Sequence, residues 1–139
     1  RVPLVLRGPG VRPAEHTTPV WHLDVLPTML ELLELPGPEA LDGACLADTV
    51  TTGEGPPERP LFAQYSGNPA PGDIRRAVVT RRHKYVYDPH DAPELYDLEE
   101  DALEMHNLAP EPADAALVGE LHDACAEWHR NHGDRVSYG

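Results

Sequence analysis

Residues 75–108 read RRAVVTRRHKYVYDPHDAPELYDLEEDALEMHNL, and this stretch decides the fold. Two short runs alternate like strands, residues 76–80 and 83–88. Only Arg81 and Arg82 separate them, a gap that suits a two-residue hairpin, although Arg-Arg lacks the Asn or Gly that primed turns prefer. A third short run, Leu95-Tyr96, is entered through Pro93 and Glu94, and an acidic segment follows over residues 97–104. An antiparallel meander of this kind has one apolar face that needs a cover.

That cover is predicted near the end of the chain. After Pro110-Glu111-Pro112, residues 113–132 read as a helix with Leu117, Leu121, Ala124, Cys125 and Trp128 on one stripe. Full burial of Leu117, Leu121 and Trp128 stabilises by roughly 1.5–3 kcal/mol per side chain as an upper bound. Gly133-Asp134 fits a C-terminal stop.

Upstream of the meander, residues 61–65 (LFAQY) read as a further strand, and residues 66–73 as a Gly/Pro/Asn loop. Residues 49–60 are rich in Thr, Gly, Pro and Glu and read as an exposed linker holding a subdomain boundary. Residues 24–33 predict a helix, with Asp24 as N-cap and Pro27 in the first turn. Leu26, Met29, Leu30 and Leu33 recur along it at helical spacing. Residues 2–6 are mostly apolar and stop at Gly8-Pro9-Gly10. Continuous apolarity suits a strand buried on both faces of a parallel sheet, which requires neighbouring strands.

The chain has 139 residues and a net charge of −13, from 11 basic and 24 acidic side chains. That excess of acid argues against a nucleic-acid surface, and basic strands bearing aromatic platforms are absent too. The hairpin gathers Arg75, Arg76, Arg81, Arg82 and Lys84 within ten residues. This cluster reads either as a solvated turn or as a rim that attracts a negatively charged ester. No apolar run is long enough to span a bilayer. Cys45 and Cys125 could pair or stay reduced.

Several of these residues also carry a resemblance. Arg76-Ala77-Val78, Lys84-Tyr85-Val86-Tyr87, Glu94-Leu95-Tyr96-Asp97-Leu98-Glu99, Asp101, Glu104 and Asn107-Leu108-Ala109 stand in an order similar to the C-terminal end of the sulfatases, within the alkaline phosphatase superfamily. The D-x-x-P-T-x-L-x-L-L segment from Asp24 and the Leu41-Asp42-Gly43 turn resemble the same family. The resemblance runs from Val2 to about Trp128. It implies an α/β protein with an α+β C-terminal subdomain. Residues 1–57 would be the end of a large mixed α/β catalytic domain, and residues 58–139 a small antiparallel sheet packed against the terminal helix. The resemblance places the partners of the first strand upstream of Arg1, in an N-terminal domain that this chain would need.

The implied activity is hydrolysis of sulfate esters. The alternatives are a phosphonate monoester hydrolase or phosphodiesterase of the same superfamily, or a non-catalytic acidic binding module. By the same resemblance Gln64, Tyr65, Ser66, Asn68 and Arg75 are candidate substrate contacts. The plainer reading takes Tyr65 as core and Asn68 as a turn former. The implied cofactors, formylglycine and a divalent cation such as calcium, stabilise charge that builds up at the sulfate. Both are expected outside this stretch. Cys45 sits in C-L-A-D-T and Cys125 in C-A-E-W-H, and neither fits the family's C-x-P/A-x-R motif. Glu99-Glu100-Asp101 points its side chains in different directions and lacks the ligand pattern of a calcium loop. His129 and His132 lack further ligands for a metal. No serine lies in a nucleophile elbow. No catalytic or metal residue is therefore assigned, and the chain alone is expected to be inactive. Compartment and substrate are not readable.

Overall fold

The computed structural model describes residues 2–67 and 74–138. By contacts the chain divides into two units, residues 1–58 and 59–139.

In the first unit a 3-10 turn (His22–Asp24) runs into helix α1 (Val25–Leu32). Asp24 was expected to cap this helix by accepting from its first amides. Instead the 3-10 turn holds Asp24 in a helical conformation, φ −73° and ψ −18°, and its carboxylate makes no cap bond to α1. Its Oδ2 accepts the N–H of Trp21 at 2.7 Å, and its Oδ1 accepts the N–H of Ala44 at 2.8 Å. Thr28, one turn on, donates to the Asp24 carbonyl at 2.6 Å and accepts from the N–H of Leu46 at 2.8 Å. Two fully buried polar side chains thus lace residues 44–46 to the start of α1. The predicted apolar spacing of α1 lies largely in the open: Leu26 and Leu33 are more than half exposed.

Two expectations change here. Residues 49–52 are not linker but the end of helix α2 (Ala47–Thr52). Ala47 and Val50 are buried, Thr51 and Thr52 bond back to the carbonyls of Ala47 and Asp48, and Gly53 ends the helix at φ 80°. Threonine is a weak helix former, but burial of one side overrides that preference. Residues 2–6 form no strand, and Val2 and Val5 are 91% and 82% exposed. A parallel strand exists only through its ladder, and no described residue pairs with this segment.

The second unit is a four-stranded antiparallel sheet in the order β1-β2-β3-β4: β1 (Leu61–Ser66), β2 (Ile74–Val79), β3 (His83–Tyr87) and β4 (Glu94–Asp97). Val79 pairs with Lys84, and the Thr80 N–H donates to the His83 carbonyl at 2.8 Å, so Arg81-Arg82 forms the predicted two-residue turn. A 3-10 turn (Pro112–Asp114) leads into α3 (Ala115–Asn131), which covers one face of the sheet. The core joins Val78, Tyr85 and Leu95 from three strands to Leu121 and Cys125 of α3. Phe62 stacks on Trp128 with ring centres 4.8 Å apart. His129 is the buried member of the helix stripe that its residue type concealed. Its Nδ1 donates to the Cys125 carbonyl at 2.8 Å, and burial lowers its pKa, favouring the neutral ring.

Candidate functional site

The acidic segment that begins at the end of β4 pairs with three of the five hairpin cations, Arg81, Arg82 and Lys84. Arg82 donates from Nε and Nη2 to Asp97 Oδ2 at 3.0 and 2.7 Å. Asp97 Oδ1 accepts the N–H groups of Glu99 and Glu100. The guanidinium and these two amides pull the Asp97 carboxyl down to about 2. Lys84 meets Glu104 at 2.5 Å, and Arg81 lies 3.8 Å from Glu99. Glu104 adopts φ 57°, unusual for a non-glycine residue. The rim that could have attracted an anion at the hairpin turn is therefore matched by carboxylates.

The N-L-A motif serves the same sheet. Asn107 Oδ1 accepts the N–H of Leu95 at 2.9 Å, and the Leu108 N–H donates to the Leu95 carbonyl at 2.8 Å. Together they occupy the outer edge of β4, which a strand would otherwise fill. The motif residues that carried the resemblance thus close the meander at both of its exposed corners.

Four of the five candidate substrate residues, Gln64, Tyr65, Ser66 and Arg75, lie at the other end, on β1 and the start of β2. Gln64 pairs with Arg76, Tyr65 with Arg75, and Ser66 with Ile74. Side chains alternate across a strand, and paired residues share a face. Gln64 and Ser66 consequently lie on the helix-covered side with Arg76. Tyr65 and Arg75 lie on the opposite side, where Arg75 forms an ion pair with Asp88. Tyr65 is 47% exposed, and Gln64 and Ser66 are exposed as well. Asn68 lies outside the described residues. The four described candidates form a row along one hairpin end, on both faces of the sheet.

Arg76, absent from the sequence-based set of site residues, is the centre of this end. It is only 4% exposed. Its Nε and Nη2 donate to the two carboxylate oxygens of Asp134 at 2.5 and 3.1 Å, and its Nη1 to the carbonyls of Tyr65 and Arg75 at 2.8 and 2.9 Å. Nη2 also donates to Ser66 Oγ at 3.2 Å. All five N–H donors of the guanidinium are satisfied. The Asp134 carboxyl is held below its usual range, chiefly by the Arg76 hydrogen bonds. Buried guanidinium–carboxylate pairing of this kind is strong and geometrically exacting. A paired Arg and Asp separated by 58 positions leave no local pattern to read.

Among the described residues no three His, Cys, Asp or Glu side chains come together as metal ligands. Cys45 and Cys125 are both free thiols. Cys125 is fully buried, and that burial raises its pKa to about 11, so it stays protonated. The described residues do not fit a formylglycine or calcium site. Among the described residues no helix is long and apolar enough to cross a membrane.

Residues 1–131 match the family described as N-sulphoglucosamine sulphohydrolase, C-terminal. A choline-sulfatase from Rhizobium meliloti is 36% identical over 135 residues, covering 92% of this chain and 26% of the relative. A delta 4,5-hexuronate-2-O-sulfatase from Bacteroides thetaiotaomicron is 30% identical over 129 residues, covering 86% of this chain and 26% of that protein. Among solved structures, a 2-O GAG sulfatase superposes with a TM-score of 0.74 at 25% identity, over 91% of this chain and 29% of the other. The chain spans about a quarter of the length of the curated relatives it matches.

Proposed function

The chain belongs to the C-terminal family of the sulfatases, in the alkaline phosphatase superfamily, and from that premise we propose that the protein carrying it hydrolyses sulfate esters. The observation that supports this most is the family match over residues 1–131. Within it, the matched motif residues build the meander itself: Asp97 on Arg82, Glu104 on Lys84, and Asn107 on the edge of β4. In this chain those letters have structural work, holding the strands and the hairpin together.

In this reading residues 1–57 close a larger α/β catalytic domain, and residues 58–139 are a subdomain whose β1–β2 end borders the substrate. Gln64, Tyr65, Ser66 and Arg75, with Asn68, supply that border. The exposure of Gln64, Tyr65 and Ser66, and their position with Arg75 at one hairpin end, support the assignment. Formylglycine and a divalent cation, calcium by family resemblance, would be held by residues outside this chain, with the sulfate at that centre. The choline-sulfatase and hexuronate-sulfatase relatives make a small cationic alcohol ester and a sugar ester the two substrate classes to try first.

The test is steady-state kinetics of the intact protein with choline sulfate, an uronic-acid 2-O-sulfate, an aryl sulfate and an aryl phosphonate monoester. The expected result is a higher kcat/KM on a sulfate ester than on the phosphonate. A reversed order would assign the protein to the phosphonate monoester hydrolases instead, and no turnover of any of the four would overturn the reading.

A further inference from the structure

We propose that Ser66 is a hydrogen-bond donor to the sulfate ester, and that the segment after α3 acts as a strap which sets its position through Asp134 and Arg76. This rests on the reading of the β1–β2 end as the border of a sulfatase site. Three observations carry it.

The first is the direction of the Ser66 bond. Ser66 Oγ accepts from Arg76 Nη2, so the hydroxyl proton points away from the guanidinium. A hydroxyl that accepts from a cation is polarised and becomes a better donor to an anion. Ser66 is exposed, so that proton is accessible to a ligand.

The second is that Arg76 cannot move without the strap. Its Nη1 grips the Tyr65 carbonyl next to Ser66, while Nε and Nη2 grip Asp134 in two-pronged fashion. The guanidinium is almost wholly buried, so losing the Asp134 charge would leave it unpaired in a desolvated setting. The end of β1 and the end of the chain therefore share one rigid node.

The third is that the strap is itself anchored. The Asp134 N–H donates to the His129 carbonyl at 3.0 Å, and Asp134 Oδ1 also accepts the Val136 N–H at 3.2 Å. Tyr87 on β3 donates to the Ser137 carbonyl at 2.8 Å, and its ring stacks on Tyr138 with centres 4.5 Å apart. Helix α3 and strand β3 thus fix where Asp134 sits, and Asp134 fixes Arg76. Arg76 and Asp134 are positioning residues in this scheme, and Ser66 alone touches substrate.

The experiment compares Ser66→Ala, Asp134→Asn, Asp134→Glu, Arg76→Lys and the double variant Ser66→Ala/Asp134→Asn in the intact protein, with a sulfate ester as substrate. Thermal melting identifies the variants that fold. Ser66→Ala and Asp134→Asn are each expected to raise KM roughly ten- to hundredfold, the range for one hydrogen bond to a charged group. Both should leave kcat within about twofold, since uniform binding is what they remove. The double variant should match the single ones rather than multiply them, because both act through one contact. Asp134→Glu should recover part of the loss. Amide exchange across residues 61–66 should quicken in Asp134→Asn and in Arg76→Lys. A tenfold rise in KM with Ser66→Ala but none with either strap variant overturns the coupling and leaves the sulfatase reading intact. Unchanged exchange in the strap variants overturns it as well, even if the enzyme cannot be assayed. A wild-type protein without sulfate-ester activity overturns the functional reading itself and, with it, the role given to Ser66.

Discussion

At the scale of single residues, Gly43 and Gly119 show how differently the same residue type can be constrained. An added Cβ at Gly43 would sit 2.0 Å from the Leu23 carbonyl oxygen and 2.8 Å from the Asp24 amide nitrogen. Both neighbours are backbone, so nothing nearby can swing aside. Gly119, in the middle of α3, would place its Cβ in open space. Gly43→Ala is therefore expected to destabilise by about 1–3 kcal/mol, and Gly119→Ala to stabilise by about 0.5–1 kcal/mol through helix propensity. Urea denaturation of the two variants checks the pair, and equal effects of one sign would sink the account. The Leu41-Asp42-Gly43 turn was legible from its letters. Its reason was not, because the carbonyl that forbids a side chain belongs to a residue twenty positions earlier. Asp24 was misread for a related cause. An acidic residue before an apolar helix reads as a cap, while the amide it accepts, that of Ala44, is fixed only by the folded chain.

At the scale of elements, the hairpin and the acidic segment form one unit whose stability depends on pH. The folded Asp97 carboxyl lies at about 2, below the ordinary value of 3.8, because Arg82 and the amides of Glu99 and Glu100 favour its charged form. A depressed folded value means that the unfolded chain binds the proton first. The contribution of Asp97 is therefore complete above pH 3.8 and is lost as pH falls through about 2. Asp134, held low by Arg76, acts in the same direction. Denaturation midpoints followed from pH 5 to pH 2 should fall in the wild type and fall less in Asp97→Asn, which starts lower. Parallel curves for the two proteins would remove Asp97 from the explanation. The strands and α3 were legible because alternation and the helical stripe are local signals. The pairing of the hairpin's cations with specific carboxylates was not, since opposite charges in sequence state attraction but not partner. Helix α2 escaped notice because Thr and Gly signal a loop wherever burial of Val50 is not yet known.

At the scale of the whole molecule, the two units differ in how much of their apolar surface they cover. Residues 59–139 contain a complete sheet, a covering helix and a core with Val78, Tyr85, Leu95 and Cys125 at 1% exposure or less. That core joins three strands to a helix, so loss of any one opens the others. About eighty residues suffice for an independently folding domain. Residues 2–58 have two short helices and leave Val2, Val5, Leu26, Leu33 and Leu35 more than half exposed. A segment with residues 59–139 alone is therefore expected to melt in a single cooperative transition, with its heat capacity and van't Hoff enthalpies in agreement. It is also expected to leave an aryl sulfate unhydrolysed, because its one cysteine, Cys125, is a buried neutral thiol. Calcium added at matched ionic strength should not move the melting temperature, because no donor set has been found among its described residues. Matching ionic strength matters here: a chain of net charge −13 responds to any added cation through screening alone. A broad, non-cooperative melt would show that the sheet and α3 depend on residues before 59. A calcium-specific rise would show that the acidic segment after β4 holds a cation, contrary to its role as counter-charge for Arg82 and Lys84.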